Sequence, residues 1–581
     1  MSPNCRERIL ALSISSLALF HLASCGGGGE SPTDPDAQVA SVTVSPNQFD
    51  LVVGETQQLT ATPRDQSGSP LVGRSITWAS SEETVASVSA TGLVTAVGEG
   101  SATITASSEG TSGSATVAIV FVRVASVSVL PGELTLFAGG SQALTVILED
   151  ESGNPLTGRP ITWTTAEASV ATVSASGVVT AVGPGTATIV ATSEGKSGNA
   201  VVTVSLLRFE SVAAGGAHTC ALTTTGAAYC WGRGESGQLG VPVPTTTCPT
   251  DAGPRPCSRV PVAVNGGVAF TRLTGGGAHT CGLTSDGTAY CWGANGGGQL
   301  GDNSTAIRNA PVAVATDLKF VGLDAGAQHT CGLTGSGIAY CWGANGRGQL
   351  GNGTTAARLV PDAVTGSHTF QLITAGGFSI GHTCALNEEG VAYCWGDNER
   401  GQLGNGSGGF GKEDLSPHPT PIPVTGAPAF VSITAGPGRH TCGLTGAGAA
   451  YCWGENPFGA LGDGSTGDRA VPVAVSGGLA FQQVVAGGFL GHTCGMISGG
   501  TGYCWGENSV GQVGDNSTSD RLEPSAVSGG LSFTILDAGF RHTCGLATTG
   551  ALYCWGSGGA GQLGTNSTTH VTVPTKVLGQ P

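Results

Sequence analysis

Two short phrases return seven times after residue 208: His218-Thr219-Cys220, then Tyr229-Cys230-Trp231-Gly232. Later copies begin at His279 and Tyr290, His329 and Tyr340, His382 and Tyr393, His440 and Tyr451, His492 and Tyr503, and His542 and Tyr553. In every copy the two cysteines stand ten positions apart. The local physics follows from one pairing. If Cys220 faces Cys230, then Leu222 faces Ala228 and Thr223 faces Ala227, leaving Thr224-Thr225-Gly226 as a three-residue hairpin loop. Such loops want a residue of positive φ at their third position, usually glycine. Gly226, Gly287, Gly337, Gly390, Gly448, Gly500 and Gly550 supply it. Directly opposed residues have Cα atoms ~4.5–5.5 Å apart, a spacing a disulfide can bridge.

The register therefore predicts seven hairpin disulfides: Cys220–Cys230, Cys281–Cys291, Cys331–Cys341, Cys384–Cys394, Cys442–Cys452, Cys494–Cys504 and Cys544–Cys554. Each closes a loop of about eleven residues, a constraint of about 2.5–3 kcal/mol in the chain-entropy account. The remaining pair after residue 219, Cys248 and Cys257, is expected to staple the insertion Val241–Arg259. His218 and Cys220 sit at i and i+2 on one face, which also reads as a metal site. Paired cysteines in an exported chain oxidise, so no metal and no cofactor are expected.

Export is written in residues 1–24. Arg6 and Arg8 precede the apolar run Ile9–Leu22, which is short and serine-rich for a membrane span. Leu22-Ala23-Ser24-Cys25 resembles the bacterial lipobox, in which the cysteine becomes the lipidated first residue. That resemblance implies a lipoprotein anchored through Cys25. Gly26 after the cysteine, by resemblance to Gram-negative lipoproteins, implies the outer membrane and surface exposure. Residues 25–38 are a flexible Gly/Pro-rich tether. The net charge of −16 argues against nucleic acid or an anionic membrane surface as partner, so membrane contact is expected through the lipid alone.

Residues 39–122 and 123–207 hold two copies of one domain at an offset of 85. Val39-Ala40-Ser41-Val42 matches Val124-Ala125-Ser126-Val127, and Ile76-Thr77-Trp78 matches Ile161-Thr162-Trp163. Gly92-Leu93-Val94-Thr95-Ala96-Val97-Gly98 matches Gly177-Val178-Val179-Thr180-Ala181-Val182-Gly183. Runs such as Ala102-Thr103-Ile104-Thr105-Ala106 alternate as half-buried strands do. About seven runs in ~85 residues fit an immunoglobulin-like sandwich. These residues resemble the bacterial immunoglobulin-like group 2 family, which implies a cell-surface spacer or adhesion module. Trp78 and Trp163 are expected in the core.

Residues 208–581 repeat at roughly fifty to sixty residues, a period that suits propeller blades. Each unit carries A-G-G-x-H-T-C, then Y-C-W-G-x-N, then G-Q-L-G, as in Gly298-Gln299-Leu300-Gly301, Gly348-Gln349-Leu350-Gly351 and Gly561-Gln562-Leu563-Gly564. Two copies drift, to Gly459-Ala460-Leu461-Gly462 and Gly511-Gln512-Val513-Gly514. The unit resembles the regulator of chromosome condensation family of β-propellers. The expected fold is all-β: two tandem immunoglobulin-like sandwiches, then a disulfide-stapled seven-bladed propeller. The chain ends on Val573-Pro574-Thr575-Lys576-Val577, so this strand is expected to complete the blade begun at Phe209 and to hide both sheet edges.

Tyrosine, tryptophan and histidine occur once per blade in these phrases, which makes them packing residues before they are ligand platforms. Function is expected where the repeat breaks. Two insertions follow the G-Q-L-G phrase, Val241–Arg259 and Asn405–Pro423, with Arg255, Phe410, Lys412, Glu413, Asp414 and His418 as candidate binding residues. Phe378 and Phe489 precede the histidine in two irregular copies and join them. Loops such as Gly301-Asp302-Asn303-Ser304-Thr305 and Gly514-Asp515-Asn516-Ser517-Thr518 read as Asx turns ahead of calcium ligands. No catalytic constellation has convincing spacing. The reading is a non-enzymatic, monomeric, surface-displayed binding lipoprotein that recognises an extracellular or envelope protein or glycan. The alternatives are a hydrolase or lyase working at the propeller mouth, an inhibitor and, through the family's eukaryotic founder, guanine-nucleotide exchange.

Overall fold

The computed structural model describes residues 37–249, 253–377 and 381–580. Cys25, the expected signal peptide, nearly all of the expected tether and Phe378 lie outside them. The described residues form strands, turns and loops only, with no helix among them. By contacts the chain divides into two compact units. One holds the first sandwich to Ala125 together with Glu149–Leu156, and the other holds the rest of the second sandwich and the propeller.

Each sandwich is built from nine short strands in three sheets, more pieces than the seven runs the sequence suggests. Gly100–Ser108 and Thr111–Val120 pair antiparallel and bury alternate residues, so Ala102, Ile104, Ala106, Ala115, Val117 and Ile119 make the core. Gln48–Val52 joins Thr111–Val120 in parallel. Trp78 is only partly buried and packs at the margin of that core. Its indole lies over Gly92, where an added Cβ would come within 2.8 Å of the ring. Trp163 repeats this over Gly177.

Seven antiparallel sheets follow, six of them runs of four consecutive strands and the first with a short fifth strand added at its edge. Blade 1 comprises Phe209–Ala214, His218–Thr223, Ala228–Arg233 and Arg255–Ala263, with the short Thr247–Cys248 at its edge. Blade 7 comprises Phe533–Ala538, His542–Ala547, Leu552–Gly556 and Val571–Lys576. This corrects the expected closure. Val571–Lys576 pairs with Leu552–Gly556 in its own blade, and Phe209–Ala214 pairs with His218–Thr223 in blade 1. The ring closes by side-to-side packing of blade 7 against blade 1, not by a shared strand.

The hairpin register is the one read from the turn: Cys220 opposes Cys230, Leu222 opposes Ala228, and Gly226 has φ +79°. Disulfides join all seven hairpin pairs. Their Cα atoms lie 4.0–4.1 Å apart, closer than the general spacing of opposed residues. Cys248–Cys257 staples the blade 1 insertion. Alternation along a strand sends successive side chains to opposite faces. His218 and Cys220 face the next blade, Thr219 and Trp231 the previous one. Each disulfide is thus roofed by the following blade's Phe and Trp. Cys220 and Cys230 cluster with Phe270 and Trp292, and at the seam Cys544 and Cys554 cluster with Phe209 and Trp231. The seven tryptophans of the repeats are fully buried.

The second sandwich packs on this seam. Phe137 meets Tyr229 edge-on at 5.4 Å between ring centroids. Leu207 is buried in the same cluster, and its amide donates to Gly579 O at 2.7 Å. Gly139 leaves room for Leu578, whose side chain would lie 2.3 Å from a Cβ there.

Candidate functional site

The chemistry-bearing side chains of the repeated phrase are absorbed by one device, repeated at all seven blade junctions. His218 Nε2 lies 2.9 Å from Thr280 Oγ1 in the next blade, and Thr280 Oγ1 donates to Gln238 O at 3.0 Å. The hydroxyl proton is therefore spent on the carbonyl, so the histidine must donate through Nε2–H. Trp292 Nε1 gives Gln238 O a second hydrogen bond at 3.0 Å. The same three contacts recur around the ring with His–Thr distances of 2.9–3.0 Å, ending where His542 meets Thr219 and both Thr219 and Trp231 donate to Gln562 O. Because the acceptor is main chain, Ala460 serves Thr493 and Trp505 as well as glutamine does elsewhere. Burial drives all seven histidines down to about 3–4, with neighbouring histidines adding to the shift at His279, His382, His492 and His542. They are neutral framework residues with no proton to trade near neutral pH.

A second ring of bonds lines the central channel, a cavity of about 310 Å³. Thr274 accepts the amide of Ala325, Thr374 that of Ala435, and Thr434 that of Ala486. Asp324 and Asp537 occupy the same place in blades 3 and 7, accepting Ala375 N and Ala214 N at 2.8 Å each. Thr274 also donates to Asp324, and Ala538 N to Asp537. Burial pushes Asp537 up to about 6 against its two backbone hydrogen bonds, with the Asp324 charge adding to the rise. These are the carboxylates a hydrolase at the mouth would call on. All four of their oxygens accept bonds from the blade framework.

The Asp-Asn-Ser-Thr loops are Asx turns tied to the blades. Asp302 accepts from Asn295, Ser304 and Arg308, and the set repeats at Asp463 with Arg469 and at Asp515 with Arg521. The arginine stands opposite the glycine of Trp-Gly: Gly293 with Arg308, Gly343 with Arg358, Gly454 with Arg469, Gly506 with Arg521. In blade 4 that register position belongs to His418, opposite Gly396.

This places the candidates of the blade 4 insertion. Only residues 405–413 are loop; Asp414–Pro423 is the outer strand. Asp414 accepts from Ser407, Asn398 and His418, and these bonds outweigh burial and hold it below the usual carboxylate range. Asp414 and His418 thus anchor the base of the loop. Lys412, Glu413 and Phe410 are exposed, and Phe410 is 82% exposed with its ring 5.6 Å from the Arg400 guanidinium. In blade 1, Arg255 pairs with Glu235 at 3.4 Å. Phe489 is 40% exposed, and its amide donates to Phe540 O.

Beneath Phe410 lies a charged network that insertions alone do not disclose. Asp397, Glu455 and Glu507 follow the Trp-Gly of blades 4, 5 and 6, where blades 2, 3 and 7 have Ala294, Ala344 and Ser557. Arg400 stands 3.7–3.9 Å from Glu399, Glu413, Glu455 and Asp468. Arg439 pairs with Glu399 at 3.2 Å, and Arg347 lies 3.6 Å from Asp397. Burial pushes Asp397 and Glu455 above the usual carboxylate range, against the pull of Arg439 on both. The sequence signal was a change of charge at one repeat position rather than a change of length.

Regulator of chromosome condensation (RCC1) repeats match residues 225–283, 286–333, 336–386, 389–444, 447–494 and 549–581. This chain belongs to the RCC1 repeat family. Bacterial Ig-like domains (group 2) match residues 38–119 and 123–204. Among curated relatives, the ultraviolet-B receptor UVR8 of Arabidopsis thaliana is 30% identical over 326 residues, 55% of this chain and 58% of UVR8. The probable E3 ubiquitin-protein ligase HERC4 of Homo sapiens is 35% identical over 150 residues, 25% of this chain and 13% of HERC4. The chain thus spans less than two thirds of these relatives. Among solved structures, human WBSCR16 aligns at TM-score 0.51 and 21% identity, covering 59% of this chain and 88% of that one. Yeast RCC1 (Prp20), in a structure with Kap60, aligns at 0.51 and 21%, covering 64% and 85%. At that identity the likeness is one of fold.

Proposed function

We propose that the chain is a non-enzymatic binding protein of the cell envelope. The propeller head recognises a protein partner, the Ig-like domains form its stalk, and Cys25 carries the lipid anchor at the outer membrane. The observation that carries this reading is the break of the repeat at residues 405–413, where Phe410 stands 82% exposed on a framework whose repeated histidines, threonines and tryptophans are hydrogen-bonded from blade to blade. A large exposed aromatic held on a rigid scaffold is the usual anchor of a protein interface. The relatives fit: UVR8 is named a receptor, and the yeast RCC1 structure contains Kap60.

The test is affinity capture from envelope and extracellular fractions by the full chain. The comparison protein has residues 405–417 replaced by residues 352–357 of blade 3, which keeps the outer strand from His418 onward. A partner held by the first protein and lost by the second supports the reading; equal capture by both overturns the loop as binding site. The anchor is tested by incorporation of labelled palmitate, expected to vanish in Cys25→Ser.

A further inference from the structure

The network under Phe410 is short of cationic donors. It holds five carboxylates, Asp397, Glu399, Glu413, Glu455 and Asp468, against three guanidinium groups, Arg347, Arg400 and Arg439. Arg400 is shared among four of the five at distances of 3.7–3.9 Å, beyond hydrogen bonding, and its Nε has no hydrogen-bond partner. Asp397 is 1% exposed. Gln402 donates to its Oδ2, while Oδ1 has no hydrogen-bond partner and only Arg347 at 3.6 Å. A buried carboxylate oxygen left without a donor is costly, and charge-assisted bonds are the strong way to satisfy one. Blade 6 meets this demand at the equivalent position. Glu507 is just as buried, and it takes Arg541 at 2.8 Å together with Ser509 and Gln512. Above the blade 4–5 network, Phe410 is held by its amide on Asp468 Oδ2 at 2.9 Å and offers a ring face to a cation or to an aliphatic stem.

We propose that the blade 4–5 rim docks a lysine- or arginine-bearing segment of a partner protein, whose cation enters beside Arg400 among Glu399, Glu455 and Asp468 while Phe410 covers its stem. The inference rests on the reading of this rim as the binding face and names the chemistry of the partner. Asp468 and Glu413 already accept backbone amides from Phe410, Asn456 and Gly411, so the incoming ammonium or guanidinium supplies its direct donors to Glu399 and Glu455, which Arg400 meets only at 3.7–3.9 Å. An anionic glycan is disfavoured by the same count.

The experiment uses the full chain and two labelled peptides, hexalysine and hexaglutamate, followed by fluorescence anisotropy at low salt. Hexalysine is expected to bind and hexaglutamate not. Glu399→Gln with Glu455→Gln should weaken hexalysine binding at least tenfold, and Phe410→Ala about threefold. The control pair Glu82→Gln with Glu83→Gln removes the same charge from exposed positions of the first sandwich and should leave affinity unchanged. Near-UV circular dichroism and hydrogen-exchange protection of residues 397–415 establish that the rim variants are folded and that the peptide sits there. Equal loss in the rim and control pairs, no loss in either, preferred binding of hexaglutamate, or no binding of hexalysine overturns the proposal. If partner capture still depends on residues 405–417 in that case, the binding-face reading stands and only its chemistry fails.

Discussion

Blades 3 and 4 share the pairing of their second and third strands and the junction built on it, and they part company after the third strand. His329 and His382, Thr330 and Thr383, the disulfides, Trp342 and Trp395, and Asn345 and Asn398 all stand in equivalent bonds. Six residues then take blade 3 from Gly351 to Arg358, which pairs with Asp362. Blade 4 spends thirteen between Gly404 and His418, which pairs with Asp414. The outer strand nevertheless returns to the same register, Gly343 with Arg358 and Gly396 with His418. A junction completed by side chains ahead of the loop leaves the loop free to change length and charge without moving the blade.

That division can be broken most severely with acid, which acts on what all blades share. The unfolded chain's histidines titrate near 6.5 and the folded ring's at about 3–4. Lowered folded values mean that the stabilisation is fully present above pH 6.5 and is lost as pH falls towards 4. The loss is about 1.4 kcal/mol per pH unit for each histidine in that window. The thermal midpoint of the propeller is expected to be level from pH 8 to 7 and to fall steeply below 6.5. A midpoint unchanged at pH 5 would sink this account.

Next in size is Thr383→Val, at the junction between the two compared blades. It removes the partner of His329 and one donor to Gln349 O. Leaving a buried N–H unpaired should cost about 2–4 kcal/mol in urea unfolding. The same change at Thr330 should cost as much, and a difference above about 1 kcal/mol between them would mean the junctions are not equivalent. His418→Arg restores the repeat's residue in blade 4 and is expected to stabilise by about 0.5 kcal/mol at pH 7. Loss of stability would show that the longer loop needs the histidine's shape. Phe410→Ala is the smallest, within about 0.5 kcal/mol of the parent, although it is expected to weaken partner capture. A large drop in its melting temperature would place Phe410 in the framework instead.

The hairpins were legible because cysteine spacing and the glycine at the third loop position specify one register between them. The sandwiches were legible from a gapless internal copy. Closure was not, for a reason inherent to repeats: a strand between two identical units can be assigned to either, and Val571–Lys576 read equally well as the last strand of blade 7 or the missing strand of blade 1. The His–Thr–carbonyl junction was hidden because its partners lie 51–62 residues apart along the chain between neighbouring blades, and 323 across the seam. Only the recurrence of threonine between histidine and cysteine hinted at it. At the rim, insertion length drew attention to Asp414 and His418, which the strand uses. The residues after Trp-Gly, Asp397 and Glu455, carried the signal in their charge.

A ring closed without strand exchange has a seam, and in this chain the seam has a clasp. Residues 207 and 579 of the two ends are hydrogen-bonded to one another, and Leu578 seats against Gly139 of the second sandwich beside Phe137 and Tyr229. The first sandwich has Val52 where the second has Phe137. Tension entering the head through the second sandwich arrives at the joint that would otherwise open first, and there it bears on both ends together. The mount and the lock are one piece, so the contacts that hold the second sandwich to the propeller are also those that join the two ends of the ring.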